Sequence, residues 1–414
     1  MTATSEDVRT TTVAPTTTRR RIPLVVILGL LTAVGPFTID LYLPALPAIT
    51  DELRTSESAV QLTLTGTLIG LGLGQIIIGP LSDALGRRRP LLIGIGVHIA
   101  GSLLCAVSSD VLLLGALRVL QGLGAAAAAV VALAVVRDRF SGHNAAAVLS
   151  RLILVVGVSP VLAPTVGAEL LRWTDWRGIF LALAVIGGAI GLLAGFALPE
   201  TLPPHARRTG GIRTTAGDYR RLLTDRAFVG LVLVTGLSMA ALFAYVAGSS
   251  FVLQEQFGLS KQQFGLVFAV NAIALIGAPQ LNVLLLRRFS PYRILHCALV
   301  AGALTALVLL GLAVTGVGGL RGILAVLFLV LCAVGFRGPN ATALALSRHG
   351  EAAGTAASML GAMQFGVGGL AAPLVGLLGN DAVAMAAVIA LASVAALAVL
   401  LVLVRPGHLE RSAA

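Results

Sequence analysis

The chain has 414 residues, 57% hydrophobic and 11% charged, with a mean hydropathy of +0.96, a net charge of +11 and a pI near 11.0. A soluble domain carries about 25% charged and roughly 45–50% apolar residues, and a soluble fold this apolar would expose large sticky patches. Composition therefore excludes a soluble enzyme, a nucleic-acid binder and a disordered chain. It describes a polytopic membrane protein, and the 48 glycines fit, because glycine is frequent in transmembrane helices.

A transmembrane helix takes about 20 mainly apolar residues. Such runs follow in chain order at 22–46, 60–80, 90–108, 111–136, 149–170, 177–198, 227–250, 262–286, 294–315, 322–346, 355–379 and 381–404. The expected fold class is all-α and integral to the membrane, with twelve transmembrane helices in two six-helix bundles. Residues 1–21, rich in Thr and Arg, could be mistaken for the basic region of a signal peptide. The apolar run behind them is longer than the 7–15 residues of a signal core and has no small-residue cleavage site, so it reads as an uncleaved first helix after a disordered tail.

The basic residues set the orientation. With the N-terminus inside, 22 of the 29 fall in cytoplasmic segments, five fall in outer loops, and Arg118 and Arg337 remain within spans. That asymmetry places both termini, residues 1–21 and 405–414, in the cytoplasm. The longest polar interruption, 199–226, reads as a cytoplasmic linker between bundles at 22–198 and 227–404. Halves of nearly equal length suggest a duplicated transporter with its substrate site near the midplane between them. The three cysteines, Cys105, Cys297 and Cys332, lie in apolar runs without CxxC spacing and read as small buried hydrophobes.

Asp40 is the acid that stands out, because the others fall in tails, loops or near span ends. A carboxylate inside a helix costs about 2.5–3.5 kcal/mol on insertion scales, so it should face a cavity, be partnered or be protonated. Desolvation favours the neutral acid, which suits reversible proton loading; a structural ion pair or a helix end at the outer interface is the alternative. Arg118 lies at a matching depth, roughly 10 Å below the outer surface. The two make a candidate pair that either couples protonation to access or acts as a fixed strut.

After the second span comes Gly79-Pro80-Leu81-Ser82-Asp83-Ala84-Leu85-Gly86-Arg87-Arg88-Arg89. Gly79 permits close helix approach, Gly86 a tight reversal, and the arginines can meet anionic lipid headgroups at the cytoplasmic face. Asp83 would be favourably placed against the N-terminus of another helix. The fifth span carries Gly157, Pro160, Pro164 and Gly167; prolines four apart free backbone carbonyls, giving either a static kink or a moving hinge. Phe37, Tyr42, Phe243, Tyr245 and Phe336 could line a cavity or pack between helices, and Asn271, Asn340 and Gln364 could bind a ligand or bridge helices. Arg337 could lie near the inner mouth, pair with a substrate anion, or snorkel.

These segments together resemble the major facilitator superfamily over residues 22–404. The 79–89 segment matches its G-x-L-[AS]-D-x-x-G-R-[KR] signature, and Arg118-Val119-Leu120-Gln121-Gly122 matches R-x-x-x-G of helix four. Gly157–Gly167 is similar to the helix-five motif of drug:proton antiporters, with Ala163-Pro164 where Gly-Pro is usual. A closer resemblance, to the bicyclomycin/chloramphenicol-resistance (Bcr/CflA) branch, rests on Ile39–Pro47, Pro199–Pro204, Phe264–Asn271 and Ala353–Ser358. It implies inner-membrane efflux in exchange for protons, with a cavity lined mainly by helices 1, 4, 7 and 10. By that resemblance Asp40 is the proton site and Arg118 its partner. Asp83, helped by Arg87 within the Gly79, Gly86 and Arg88 segment, locks the cytoplasmic side, while Gly157, Pro164 and Gly167 set exporter-type packing.

The expected function is proton-coupled efflux of small lipophilic drugs; a narrow-specificity exporter of a metabolite or amino acid, or proton-coupled uptake, is the alternative. The expected partners are a small-molecule substrate, protons and a bilayer with anionic lipids at its cytoplasmic face, with no nucleic acid and a monomeric state. No cofactor or metal is expected, since the spans show no His cluster or paired acids and the chain has no Walker-type loop.

Overall fold

Hydrocarbon offers no water to a backbone amide or carbonyl, so a spanning segment must close its hydrogen bonds on itself. The apolar runs do so as helices. The computed structural model describes residues 24–140, 142–204, 207, 212–347 and 353–404, which contain α-helices and no strand. The first six spans are α1 (Leu24–Asp40) continued by α2 (Leu46–Glu52), then α3 (Glu57–Leu85), α4 (Arg88–Ala106), α5 (Val111–Arg139), α6 (Gly142–Leu170) and α7 (Trp176–Ala197). Helix α8 (Ile212–Thr224) precedes the last six: α9 (Arg226–Phe251), α10 (Lys261–Leu285), α11 (Pro291–Thr315), α12 (Gly319–Ser347), α13 (Ala353–Leu377) and α14 (Ala382–Leu403). Twelve segments are long and apolar enough to cross a membrane, as the sequence implied. The two expected tails lie outside the described residues.

Polar loop residues terminate the helices. Asp110, Asp175, Asp225 and Asp381 accept from the first backbone amides of α5, α7, α9 and α14, and Ser56, Ser260 and Ser290 do so for α3, α10 and α11. Each such cap contributes about 1 kcal/mol. The outward faces are apolar: Phe196 is 90% exposed and Leu112 76%. Contiguous surface of that kind is stable only against lipid.

Four expectations need correction. The first span does not run on as one helix to residue 46: α1 stops at Asp40, a 3-10 turn covers Leu43–Ala45, and α2 extends the span to Glu52. Pro44 and Pro47 explain the break, since proline donates no amide hydrogen and disfavours helix in the residue before it. The 79–89 segment does not come after the second span as a loop would: Gly79–Leu85 finish that span as the end of α3, and α4 starts at Arg88. The 199–226 linker contains α8, whose Leu222 is buried against Phe228 and Leu231 of α9. Of the cysteines, Cys105 alone is buried; Cys332 is half-buried and Cys297 exposed, since α11 turns that face outward.

Packing within the first six spans depends on small residues. A Cβ on Gly122 of α5 would collide with the Thr67 carbonyl of α3, and one on Gly70 of α3 with the Val119 carbonyl of α5. Without a hydrophobic force between helices in lipid, such close backbone approach supplies the association. Gly122→Val is expected to destabilise the bundle by about 1–3 kcal/mol. Gly96→Ala, where nothing lies within 4 Å, should be neutral; thermal unfolding in detergent measures both.

Candidate functional site

Where α1 ends, its last carbonyls lose their intrahelical partners. The Thr38 carbonyl is taken by Arg118 of α5, whose Nη1 donates to it at 3.0 Å and to Gln121 Oε1 at 2.8 Å. The guanidinium lies 4.4 Å above the Tyr42 ring and 5.6 Å from the Phe180 ring, a cation–π cage. Tyr42 is itself fixed by a 2.6 Å hydrogen bond between its hydroxyl and that of Thr63. Behind it, Gln121 Nε2 donates to Ser102 at 2.7 Å, and His98 sits buried against the Gln121 carbonyl. Arg118 Nε and Nη2 have no partner.

Asp40 is buried, yet no ion pair or hydrogen bond joins it to Arg118, contrary to the expected pair. The matching depth holds, because Arg118 reaches the backbone two residues before Asp40. Residues two apart on a helix point about 200° apart, and the broken turn offers the guanidinium a carbonyl instead. The Asp40 carboxyl lies within electrostatic reach of the Tyr245 hydroxyl on α9. That hydroxyl accepts from Asn271 Nδ2 of α10 at 3.2 Å, and the Tyr245 ring stacks on Phe268 at 5.2 Å. Asp40 is thus within electrostatic reach of the last six spans.

Hydrogen bonds between the two sets of spans cluster, among the described residues, at the end distal to the 199–226 linker. Ser250 donates to the Leu43 carbonyl at 2.7 Å, Gln61 to Asn380 at 2.5 Å, and Thr65 to the Gly369 carbonyl at 2.7 Å. Asn380 also donates to Glu57, Gln262 to the Ala168 carbonyl at 3.3 Å, and Thr165 to the Gly265 carbonyl at 3.4 Å. The distal end is closed by these links. Gln61, Ser250 and Asn380 were not singled out from the sequence, since only their partners across the seam distinguish them from ordinary polar residues.

At the linker end a second polar cluster forms. Arg87 pairs with Asp83, its Nε donates to Asp138 Oδ2 at 2.8 Å and its Nη2 to Asp138 Oδ1 at 3.2 Å. Burial works against the Arg87 charge, and Asp138 and Asp83 outweigh it, holding the guanidinium protonated above its ordinary range. Glu200 of the linker accepts from the amides of Arg87 at 2.8 Å and Arg88 at 3.2 Å, and Arg88 donates to the Gly195 carbonyl. Gly86, with φ of +90°, makes the reversal; a Cβ there would also strike Glu200. Gly79 faces Ser358 of α13 across the seam. The expected lock is thus tied within the first six spans in this conformation, with Asp83 engaged by Arg87. Asp138 and Glu200 complete it.

Of the helix-five residues, Gly157 lies against Ile276 of α10, and Pro164 and Thr165 lie beside Gly265 of α10, while Gly167 packs on the Leu41 carbonyl at the α1 break. Pro160 is half-buried. Among the cavity candidates, Tyr42, Phe243, Tyr245, Asn271 and Asn340 are buried, and Phe37 and Phe336 half-buried. Asn340 bridges helices through Asn282 at 2.8 Å, and Phe243 contacts Phe365. Arg337 neither reaches the mouth nor snorkels. It is fully buried, its Nη2 fills the space left by Gly302 of α11, its Nη1 donates to Ser393 of α14 at 3.4 Å, and Nε and Nη2 have no partner.

A twelve-span bundle joined across its middle at one end, with an unpaired acid on the seam, has the architecture of a secondary transporter. The family model of the Major Facilitator Superfamily matches residues 28–373, and the chain belongs to that superfamily. It is 37% identical over 378 residues to the MFS-type transporter YdgK of Bacillus subtilis, covering 90% of this chain and 93% of that one. To the bicyclomycin resistance protein homolog of Haemophilus influenzae it is 31% identical over 366 residues, covering 86% and 89%. Among solved structures, nucleoside transporter NupG (TM-score 0.73, 13% identity, 92% of this chain and 100% of that one) and the D-xylose-proton symporter (0.68, 16%, 90% and 96%) share the fold. The protein is a multi-pass membrane transporter of small molecules, not an enzyme.

Two variants probe these sites. Glu200 lies below its ordinary value of 4.5: its partial burial works against ionisation, and the amides of Arg87, Leu202, Arg88 and Thr201 outweigh it. Such a carboxylate adds stability above its unfolded value that is lost as pH falls through the folded one. Wild type should therefore melt about 1–2 °C above Glu200→Gln at about pH 7, the gap narrowing as pH falls below the ordinary value of 4.5. Arg337→Met should raise detergent stability by about 1–4 kcal/mol, since it replaces a buried cation lacking a counter-charge with an apolar chain of similar length; calorimetry measures it.

Proposed function

We propose that this transporter exports small lipophilic drugs across the bacterial inner membrane in exchange for protons, by alternating access between bundles at 22–198 and 227–404. The observation that carries the reading is Asp40, buried at a helix break without an ion pair and within electrostatic reach of Tyr245 of the other bundle. Loading or releasing a proton there changes the charge buried on the seam by one unit. Each state of the carboxyl then favours a different separation of the bundles. The likeness to a bicyclomycin resistance homolog supports the drug substrate class.

With both termini cytoplasmic, the distal hydrogen bonds close the outer side and the substrate enters from the linker side. One proton moving inward gains about 2.3 kcal/mol per 100 mV, which can drive a neutral drug outward; one-for-one exchange with a monocationic drug moves no net charge and draws on the pH gradient alone. Arg118 shapes the α1 break rather than pairing with Asp40 in this conformation. Asp83 and Arg87 brace the turn that must shift when the cytoplasmic side closes, the arginines meet anionic headgroups there, and a monomer suffices.

The test uses inside-out vesicles from an efflux-deficient bacterium, loaded acid inside, with single drugs added and proton release followed. Wild type should release protons on drug addition, and Asp40→Asn should fall at least about a hundredfold, the lower end of what a positioned proton-transfer group supplies. Release that persists in Asp40→Asn would move the proton site elsewhere. No release with any compound would favour a narrow metabolite exporter or uptake.

A further inference from the structure

On the flank of the last six spans, a groove of about 410 Å³ runs between the start of α11 and the end of α14. It is lined by Phe289, Tyr292, Arg293, His296, Cys297 and Leu401. Phe289 and Leu401 are about half exposed and Cys297 is exposed, so the groove opens outward to lipid and not toward the seam. It lies at the linker end, within the first two turns of α11, at the depth of headgroups and the first part of an acyl chain.

Among the described residues that line or adjoin it, the charge has one sign. Arg287 and Arg288 precede the groove and Arg293 lines it, while the sequence carries no acid between Phe257 and Ser347 or between Ala382 and Val404. Asp225, an acid at this end among the described residues, caps α9 through the amides of Ala227 and Phe228; Glu351 and Glu410 lie outside the described residues. His296 stacks on Tyr292 at 6.3 Å and has an enclosed Nδ1 without a hydrogen-bond partner. An apolar trough with a cationic rim matches an amphiphile with an anionic head.

We propose that this groove binds one anionic glycerophospholipid. Its phosphate is held by Arg293 and His296, and its acyl chain covers Phe289, Cys297 and Leu401. Basic pockets between membrane helices bind anionic headgroups in this manner, and one arginine near the surface contributes about 1 kcal/mol, or fivefold in affinity. The site is separate from the Arg87–Arg89 turn and does not depend on the direction of transport.

Native mass spectrometry of the full-length detergent-purified protein, titrated with phosphatidylglycerol or phosphatidylcholine, tests it. Wild type should retain one phosphatidylglycerol about fivefold or more tighter than phosphatidylcholine. Arg293→Gln with His296→Leu should lose that preference, and Cys297→Trp should block the site by filling it without altering charge. Arg88→Gln should leave the preference intact, and a chain ending at Val404 should bind no more lipid than the full chain. Equal retention of both lipids, or a preference surviving both groove variants, would overturn the proposal. So would a gain of lipid on truncation, which would assign the groove to the chain's own last residues, or full competition by glycerol phosphate, which would assign it to a free phosphate.

Discussion

The hydrogen bond from Arg118 to the Thr38 carbonyl organises the centre of this molecule. In hydrocarbon a carbonyl released by a broken helix must find a donor, and the break after Asp40 releases one beside a buried guanidinium at 3.0 Å. The same break admits Tyr42 beneath Arg118 and lets Gly167 of α6 pack on the Leu41 carbonyl. It also places Leu43 where Ser250 of α9 can reach it. An unbroken first helix would leave Arg118 without that acceptor and the distal closure without one of its shortest links.

Freed from Arg118, Asp40 becomes a group of the seam. It lies within electrostatic reach of Tyr245 on the other set of spans, so its protonation bears on how the halves meet. The lateral seams, α3 against α13 and α6 against α10, set glycines against larger side chains, Gly361 against Gln75, Gly369 against Leu68 and Gly157 against Ile276. The polar links concentrate distally. A structure closed at one end by a few exchangeable side-chain hydrogen bonds, with a titratable acid just below them, has the parts an alternating-access transporter needs.

The linker end follows a different rule. There Arg87, Asp83, Asp138 and Glu200 are tied to one another and to the backbone of a two-residue turn, which holds α3, α4, α5 and the linker as a unit. Here opposite charges are paired, Arg87 with Asp83 and with Asp138. Deeper in the bundle, Arg118 and Arg337 are buried with unsatisfied nitrogens, and the acid facing the seam, Asp40, is paired with neither.

Hydropathy, the arginine asymmetry and the spacing of Gly79, Asp83, Gly86 and Arg87 made the twelve spans, their expected direction and the superfamily legible, because a bilayer imposes length and polarity on every span independently of its neighbours. Asp40 stood out for the same reason, as an acid where hydrocarbon disfavours one. The sequence could not show which way Asp40 and Arg118 point, that Arg337 faces α11 and α14, or that Gln61, Ser250 and Asn380 close the distal end. Those outcomes depend on which helix lies opposite, and on a proline-broken turn whose freed carbonyl outcompetes a carboxylate for an arginine. Pairing across a membrane bundle is a property of packed surfaces, and only the tertiary structure brings those surfaces together.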